Sequence, residues 1–329
     1  MTAHLLTNDS FNSDDYRNQE VPAAAIARLL TAGFKKKDAQ PFALFTGGGN
    51  GCGKSTFLQK PLADELRQND YNPRNIQLFY EEVCNLCEQE GMFATVRDDS
   101  GKTPAIRGQR TWQALTSRFP ELKAIETYPV PLVNMDLVAY LLNECIEHQQ
   151  SNPDFLVRDH YYRALNAAPA LCEALTQTGH SFVVDSTMSN PSKIIKAAGT
   201  VAQHGYNLNY AIFYADNAIS RVMERAKSEG RKITHADATR SQQKMPANFW
   251  EFVSSAQQNG AFLGLYDTST GKDTLIAHNG QKPTFTCLDS ETAIYQAPTL
   301  SDKGRLPRLI ACNPEHYAQF RFGTETNRR

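Results

Sequence analysis

The sequence predicts an α/β fold, a parallel sheet with helices on both faces, and two observations carry that expectation. Short apolar runs alternate with longer stretches of helical period, and the first sharp run ends in three glycines just before a helix begins. Strands that share a direction need long crossovers, and the intervening helices supply them.

Taken in order, residues 1–20 are rich in Asn, Asp and Ser near their end and are expected to form a flexible N-terminus, while Val21 to Phe34 has a helical period. Pro41 opens the run Phe42, Ala43, Leu44, Phe45, too short for a buried helix and therefore a buried strand. Leu58, Leu62 and Leu66 then mark a helix at i, i+4, i+8. Up to Tyr128 the pattern is mixed. Ile76 to Tyr80 fits a strand, and RDDSGKTPAIRGQR shows no clear period, so about 60–128 reads as an insertion.

Regular alternation resumes beyond it. Strands are expected at Val130 to Val133, Ser181 to Val184 and Leu208 to Ala215, with helices near Leu137 to His148, Tyr161 to Thr176 and Ser192 to Gln203. Another helix follows Asp216, then a helical stretch around Ala238 to Gln258. Phe262 to Tyr266, Asp273 to Ala277 and Pro283 to Cys287 read as C-terminal β elements, and about 290–329 as an extension. The expected organisation is one domain over 21–329.

Composition narrows the function classes. The 329 residues hold 34 Lys plus Arg against 35 Asp plus Glu, a formal net charge of -1, so general attraction to a nucleic-acid backbone is not expected. No apolar run reaches membrane-spanning length, and the first residues lack the basic-then-apolar layout of a secretion signal. A soluble, cytoplasmic protein without membrane contact is the expectation. Seven scattered cysteines fit reduced thiols. Cys84 and Cys87 form one C-x-x-C pair, but a structural zinc site needs four ligands and no second pair follows.

The segment FTGGGNGCGKST contains G-x-x-x-x-G-K-S as Gly48 to Ser55, directly after one predicted strand and before a helix. That setting is the one a Walker A loop requires, and it makes the expected fold that of the P-loop NTPases. In such a loop, Gly48, Gly49, Asn50, Gly51, Cys52 and Gly53 would turn backbone amides onto a polyphosphate. The next helix would aim its positive end at the same anion. Lys54 would reach the β- and γ-phosphates of ATP, the Ser55 hydroxyl would bind Mg2+, and Thr56 completes the cradle. The bland alternative is a glycine-rich turn with a solvated lysine.

Three further features bear on an acceptor. Asp136 in VNMD follows a predicted strand and could act as a base on an attacking hydroxyl or as a helix cap. Asp185 in VVDST ends another strand and could order Mg2+ or hold the acceptor, with Thr187 able to hydrogen-bond the acceptor. In DNAISRVMERAKSEGRK, Arg221 and Arg225 lie one turn apart with Arg231 beyond, like charges that a transferring phosphate would neutralise. A solvated helix face is the competing explanation.

With these residues in place, the chain resembles the zeta toxin family of P-loop kinases over most of 40–290. GGGNGCGKST is similar to its Walker loop, VNMD to its strand-end Asn-x-Asp, VVDST to its acceptor-holding Glu/Asp-Gly-Thr, and RVMERAKSEGRK to its arginine-bearing lid. LGLYDTSTGK resembles its late strand and turn. The resemblance implies Asp136 as the catalytic base and transfer of the ATP γ-phosphate to a hydroxyl of a nucleotide-sugar such as UDP-N-acetylglucosamine. Effector-like relatives phosphorylate NAD, so a dinucleotide acceptor, delivery into another cell, and an antitoxin or chaperone partner also follow from it. Ser186 stands where the family has Gly, and the interval from Lys54 to Asp136 is longer than the family's, as an insertion would make it.

If Ile76 to Tyr80 is the second strand, Glu81 or Glu82 would occupy the base position instead. Two other functions remain open: a nucleotide-dependent switch with no need of Asp136, and a nucleic-acid-end kinase with Arg97, Lys102, Arg107 and Arg110 as an RNA track beside Trp112.

Overall fold

Six apolar or small residues in a row leave the segment at Phe42 no polar side to offer to water, and all six are buried in strand β1 (Phe42–Gly47) of the computed structural model. The structure describes residues 13–36, 40–69, 71, 73–151, 158–187, 190–229, 234–271, 273–288, 295–296 and 310–311.

Along the chain, α1 (Ser13–Arg17) and α2 (Ala23–Thr31) precede β1. After it come α3 (Lys54–Phe57), a π-helical turn over Leu58–Leu62, and α4 (Ala63–Gln68). Pro61 sits in the π turn, where its missing N–H cannot close an ordinary helical bond. Next are α5 (Ile76–Gln89), α6 (Pro104–Arg118), α7 (Lys123–Thr127), β2 (Leu132–Asn134), α8 (Met135–Tyr140), α9 (Asn143–Ser151), α10 (Arg158–Asn166) and α11 (Ala168–Thr178). The remainder is β3 (Phe182–Asp185), α12 (Pro191–Gln203), β4 (Asn207–Tyr214), α13 (Ala218–Glu229), α14 (His235–Gln258), β5 (Phe262–Asp267), β6 (Thr274–His278), β7 (Tyr295–Gln296) and β8 (Ile310–Ala311).

These elements fall into two units. The first, residues 1–34, 74–127 and 133–178, is helical among its described residues apart from the end of β2. Here the structure departs from the sequence expectation in three places. Ile76 to Tyr80 is not a strand but the first turns of α5, started by Asn75, whose side chain accepts from the amides of Gln77 and Leu78 at 3.1 and 3.3 Å. A cap of that kind is worth about 1 kcal/mol, and buried Phe79, Val83, Leu86 and Cys87 follow at helical spacing. The second failure is the supposedly aperiodic polar stretch, whose later half begins α6, with Pro104 in its first turn and Thr111, Trp112 and Leu115 buried.

Within the stretch expected to fray, α1 is formed and Tyr16 is buried against His160 of α10. Arg17 pairs with Asp159 at 2.7 Å and Arg163 with Glu144 at 3.0 Å.

The second unit, residues 35–73, 128–132 and 179–329, carries the sheet. Its strands run in the order β3-β1-β4-β5-β6-β8-β7, with β2, which begins in this unit at Leu132, outside β3. The pairs β1–β3, β1–β4 and β4–β5 are parallel, while β5–β6, β6–β8 and β8–β7 are antiparallel. The sheet is thus mixed, parallel through its centre and antiparallel at its C-terminal edge. Pro283 to Cys287 is no strand, and only a 3₁₀ turn at Thr286–Leu288 forms there. Because the central strands are parallel, the ends of β1, β3, β4 and β5 lie along one edge of the sheet, which is where an open α/β sheet presents its ligands.

Candidate functional site

The loop after β1 is shaped by backbone angles that side chains disfavour. Gly51 and Gly53 both have φ of 82°, which costs glycine nothing. The loop is also hemmed in: a Cβ on Gly51 would lie 2.3 Å from the Ala218 carbonyl oxygen, and one on Gly49 would lie 2.4 Å from Nε2 of Gln242. Gly53 precedes the first turn of α3.

Lys54 is 8% exposed, and its Nζ donates to the carbonyls of Gly48 at 2.8 Å and Gly49 at 3.1 Å. The ammonium therefore sits within the loop instead of in solvent, against the bland expectation. Ser55 and Thr56 are exposed beside it.

Around the loop, neighbouring segments supply further donors. Gln242 of α14 donates from Nε2 to the Asn50 carbonyl at 3.0 Å. Thr268, just past β5, donates from Oγ1 to the Cys52 carbonyl at 3.1 Å. Arg221 of α13 donates to Thr268 Oγ1 at 3.3 Å, to the Thr268 carbonyl at 2.8 Å and to the Ser269 carbonyl at 3.2 Å. Ser269 is fixed in turn by Asp267, whose Oδ1 accepts from its amide at 2.8 Å and its hydroxyl at 2.5 Å.

Asp185 ends β3 beside Thr46 of β1, 7% exposed, with its Oδ1 accepting from Thr46 Oγ1 at 3.0 Å. The phenol of Tyr128 is held well above its ordinary value by burial first and the Asp185 carboxylate second. Ser186 anchors the chain after β3 by donating its amide to the Thr46 carbonyl at 3.1 Å. Thr187 is partly buried.

The second unit thus brings the Walker residues, Asp185 and Arg221 to one edge of the sheet. Arg225 is exposed one turn beyond Arg221, and Arg231 lies outside the described residues. Thr268 and Gln242 were not singled out from the sequence. Gln242 had a signal: it occupies the stripe of Ala238, Met245, Phe249, Phe252 and Ala256, where every other member is buried and apolar.

Asp136 belongs to the first unit. It is not the cap of α8. Asn134 is, accepting from the amides of Asp136 at 2.9 Å and Leu137 at 3.3 Å. The Asp136 carboxylate is exposed in the first helical turn.

Glu81 and Glu82 stand in the second turn of α5, not at a strand end as the alternative base required. They line an open cleft of about 420 Å³ with Arg28, which approaches Glu82 at 2.8 Å. The supposed RNA track is largely neutralised, since Arg97 pairs with Asp99, Arg107 with Glu88 and Arg110 with Asp98. Trp112 is buried, its Nε1 donating to Glu126 at 3.1 Å, and offers no stacking face. Burial pushes Cys87 up to about 12 and raises Cys84 as well, which disfavours the thiolates that bind metal. Among the described residues, no three His, Cys, Asp or Glu side chains form a metal-binding group, and no helix is long and apolar enough to cross a membrane.

Among curated proteins, none shows significant sequence similarity to the chain. A solved structure of the PezAT chromosomal toxin-antitoxin system of Streptococcus pneumoniae aligns over 83% of this chain and 86% of its own, at 14% identity and a TM-score of 0.46. A structure of AvrRxo1-ORF1:-ORF2 with ATP aligns over 95% and 82%, at 14% identity and a TM-score of 0.44. The Zeta toxin family model matches residues 163–262, which include Asp185, Thr187, Arg221, Arg225 and Arg231, and over those residues the chain is zeta toxin-like.

Proposed function

We propose that the protein is a Mg-ATP-dependent kinase that transfers the γ-phosphate to a hydroxyl of a nucleotide-sugar or dinucleotide, in the role of a toxin or effector. The observation that carries this reading is the seating of Lys54 inside a glycine loop whose carbonyls are turned onto donors. A loop built that way is a phosphate cradle. The family match supports phosphoryl transfer, and with it an antitoxin or chaperone as partner.

In this reading the loop amides and Lys54 hold the β- and γ-phosphates. Ser55 and Asp185 offer hard oxygen donors of the kind magnesium takes, and Ser55 presents its hydroxyl to solvent at the start of α3. The ion, when bound, supplies positive charge against the phosphate oxygens. Thr187 and Asp185 orient the acceptor. The acceptor oxygen forms a bond to the γ-phosphorus as the bond to the ADP oxygen breaks, and the acceptor proton passes to the Asp136 carboxylate. That role for Asp136 rests on its place in chain order after β2. Arg225 and Arg231 supply lid charge to the phosphoryl group in transit.

The direct test is incubation with γ-labelled ATP and a pool of nucleotide-sugars and dinucleotides. A labelled product heavier by one phosphate is expected, and its absence across the pool, with ATP binding intact, favours a nucleotide-dependent switch.

A further inference from the structure

We propose that Thr268 and Gln242 are positioning residues that set the phosphate-facing amides of the Walker loop, and that Arg221 acts through Thr268 and not on the phosphate itself. The inference rests on the nucleotide-binding reading above and adds what holds that site in shape.

In a trans peptide the C=O and the following N–H point opposite ways, and the described chain has no cis bonds. Whatever holds a loop carbonyl therefore fixes the direction of the next amide. Gln242 holds the Asn50 carbonyl and so orients the Gly51 amide. Thr268 holds the Cys52 carbonyl and so orients the Gly53 amide. Lys54 holds the carbonyls of Gly48 and Gly49, which fixes the amides of Gly49 and Asn50. Side chains from α14, from the turn after β5 and from the loop itself thus set four of the five amides from Gly49 to Gly53, all but that of Cys52, which donates to the Gly49 carbonyl at 3.3 Å.

Arg221 belongs to this frame. Among the described residues its hydrogen-bond acceptors are all atoms of Thr268 and Ser269, so its charge secures the turn that carries the Thr268 hydroxyl. The hydroxyl is also near the Tyr214 carbonyl at 3.3 Å, and the Thr268 amide donates to that carbonyl at 2.9 Å. Turn, strand end and loop are tied at one residue.

The test is Mg-ATP affinity by calorimetry, with melting temperature recorded for each variant. Thr268→Val keeps the shape and removes the donor, and should bind ATP about tenfold more weakly, while Thr268→Ser should bind as the parent does. Gln242→Leu, on a partly exposed helix position, should lose a similar factor without melting earlier. Arg221→Met combined with Thr268→Val should bind no more weakly than the worse single variant, because both act on one hydrogen bond. Parent-like affinity in folded Gln242→Leu and Thr268→Val, or multiplied losses in the double variant, overturns the inference and leaves the nucleotide site standing. Absence of Mg-ATP binding by the parent protein overturns the nucleotide reading and this inference with it.

Discussion

The Lys54 ammonium lies 2.8 Å from the carbonyl oxygen of Gly48, the residue that opens its own loop. The two carbonyls accept from the buried ammonium without neutralising its charge, and in the proposed function the nucleotide's phosphates are the anion that does.

Lys54→Ala should therefore leave the fold in place, since the glycine backbone and the Gln242 and Thr268 bonds remain, yet abolish tight nucleotide binding and turnover. Calorimetry and a labelled-phosphate assay check this. Undiminished ATP turnover by the variant would remove the Walker assignment.

Gly108 of α6 faces Tyr80 of α5 so closely that a Cβ would stand 1.7 Å from the Tyr80 carbonyl oxygen. The two helices can meet only with no side chain there. Gly108→Ala should force them apart and cost at least about 2 kcal/mol in urea unfolding, despite alanine's better helix propensity. A neutral or stabilising result would mean that the contact relaxes freely.

The same helix pair marks where the sequence was hard to read. IQLFY is short enough to fit either period, and the deciding features lay outside it, in the Asn75 cap before and Val83, Leu86 and Cys87 after. The polar residues before α6 hid a helix whose buried face is built from Thr111, Trp112 and Leu115. By contrast β1 and its loop were legible, because an apolar run stopped by glycines has few other solutions. Thr268 could not be found by pattern at all. Its importance comes from the parallel pairing of β4 and β5, which places the end of β5 beside the Tyr214 carbonyl.

Acid should weaken the helical unit through His160. Burial first, and then the neighbouring His148, push this residue, 2% exposed, from 6.5 down to about 4. Arg163 acts in the same direction, and Glu144 and Asp159 against it. The folded state thus prefers neutral imidazole. Above about pH 6.5 both states are neutral and nothing is lost; between there and pH 4 only the unfolded state gains the proton, so stability falls with pH. The loss is up to about 3 kcal/mol at pH 4. Urea midpoints at pH 7 and 4.5 should differ less in His160→Gln than in the parent, and equal differences would count against His160 as the source.

Asp136→Asn separates a kinase from a switch. The cap of α8 is Asn134, so the substitution leaves the capping bonds alone and changes only charge and basicity at an exposed position in the first turn. A carboxylate near a helix N-terminus is worth about 0.3–1 kcal/mol, hence the melting temperature should stay within a few degrees. Nucleotide binding should persist, because the proposed function gives the phosphates to the loop and not to Asp136. General-base assistance is worth about 10² to 10⁴ in rate, so a catalytic Asp136 predicts acceptor phosphorylation at least about a hundredfold slower in the variant. Wild-type turnover by Asp136→Asn would free this residue of any role in proton transfer. The Glu82→Gln variant is the control: on α5 beside Arg28, Glu82 has a structural partner, and its loss should change stability before it changes the rate of phosphoryl transfer.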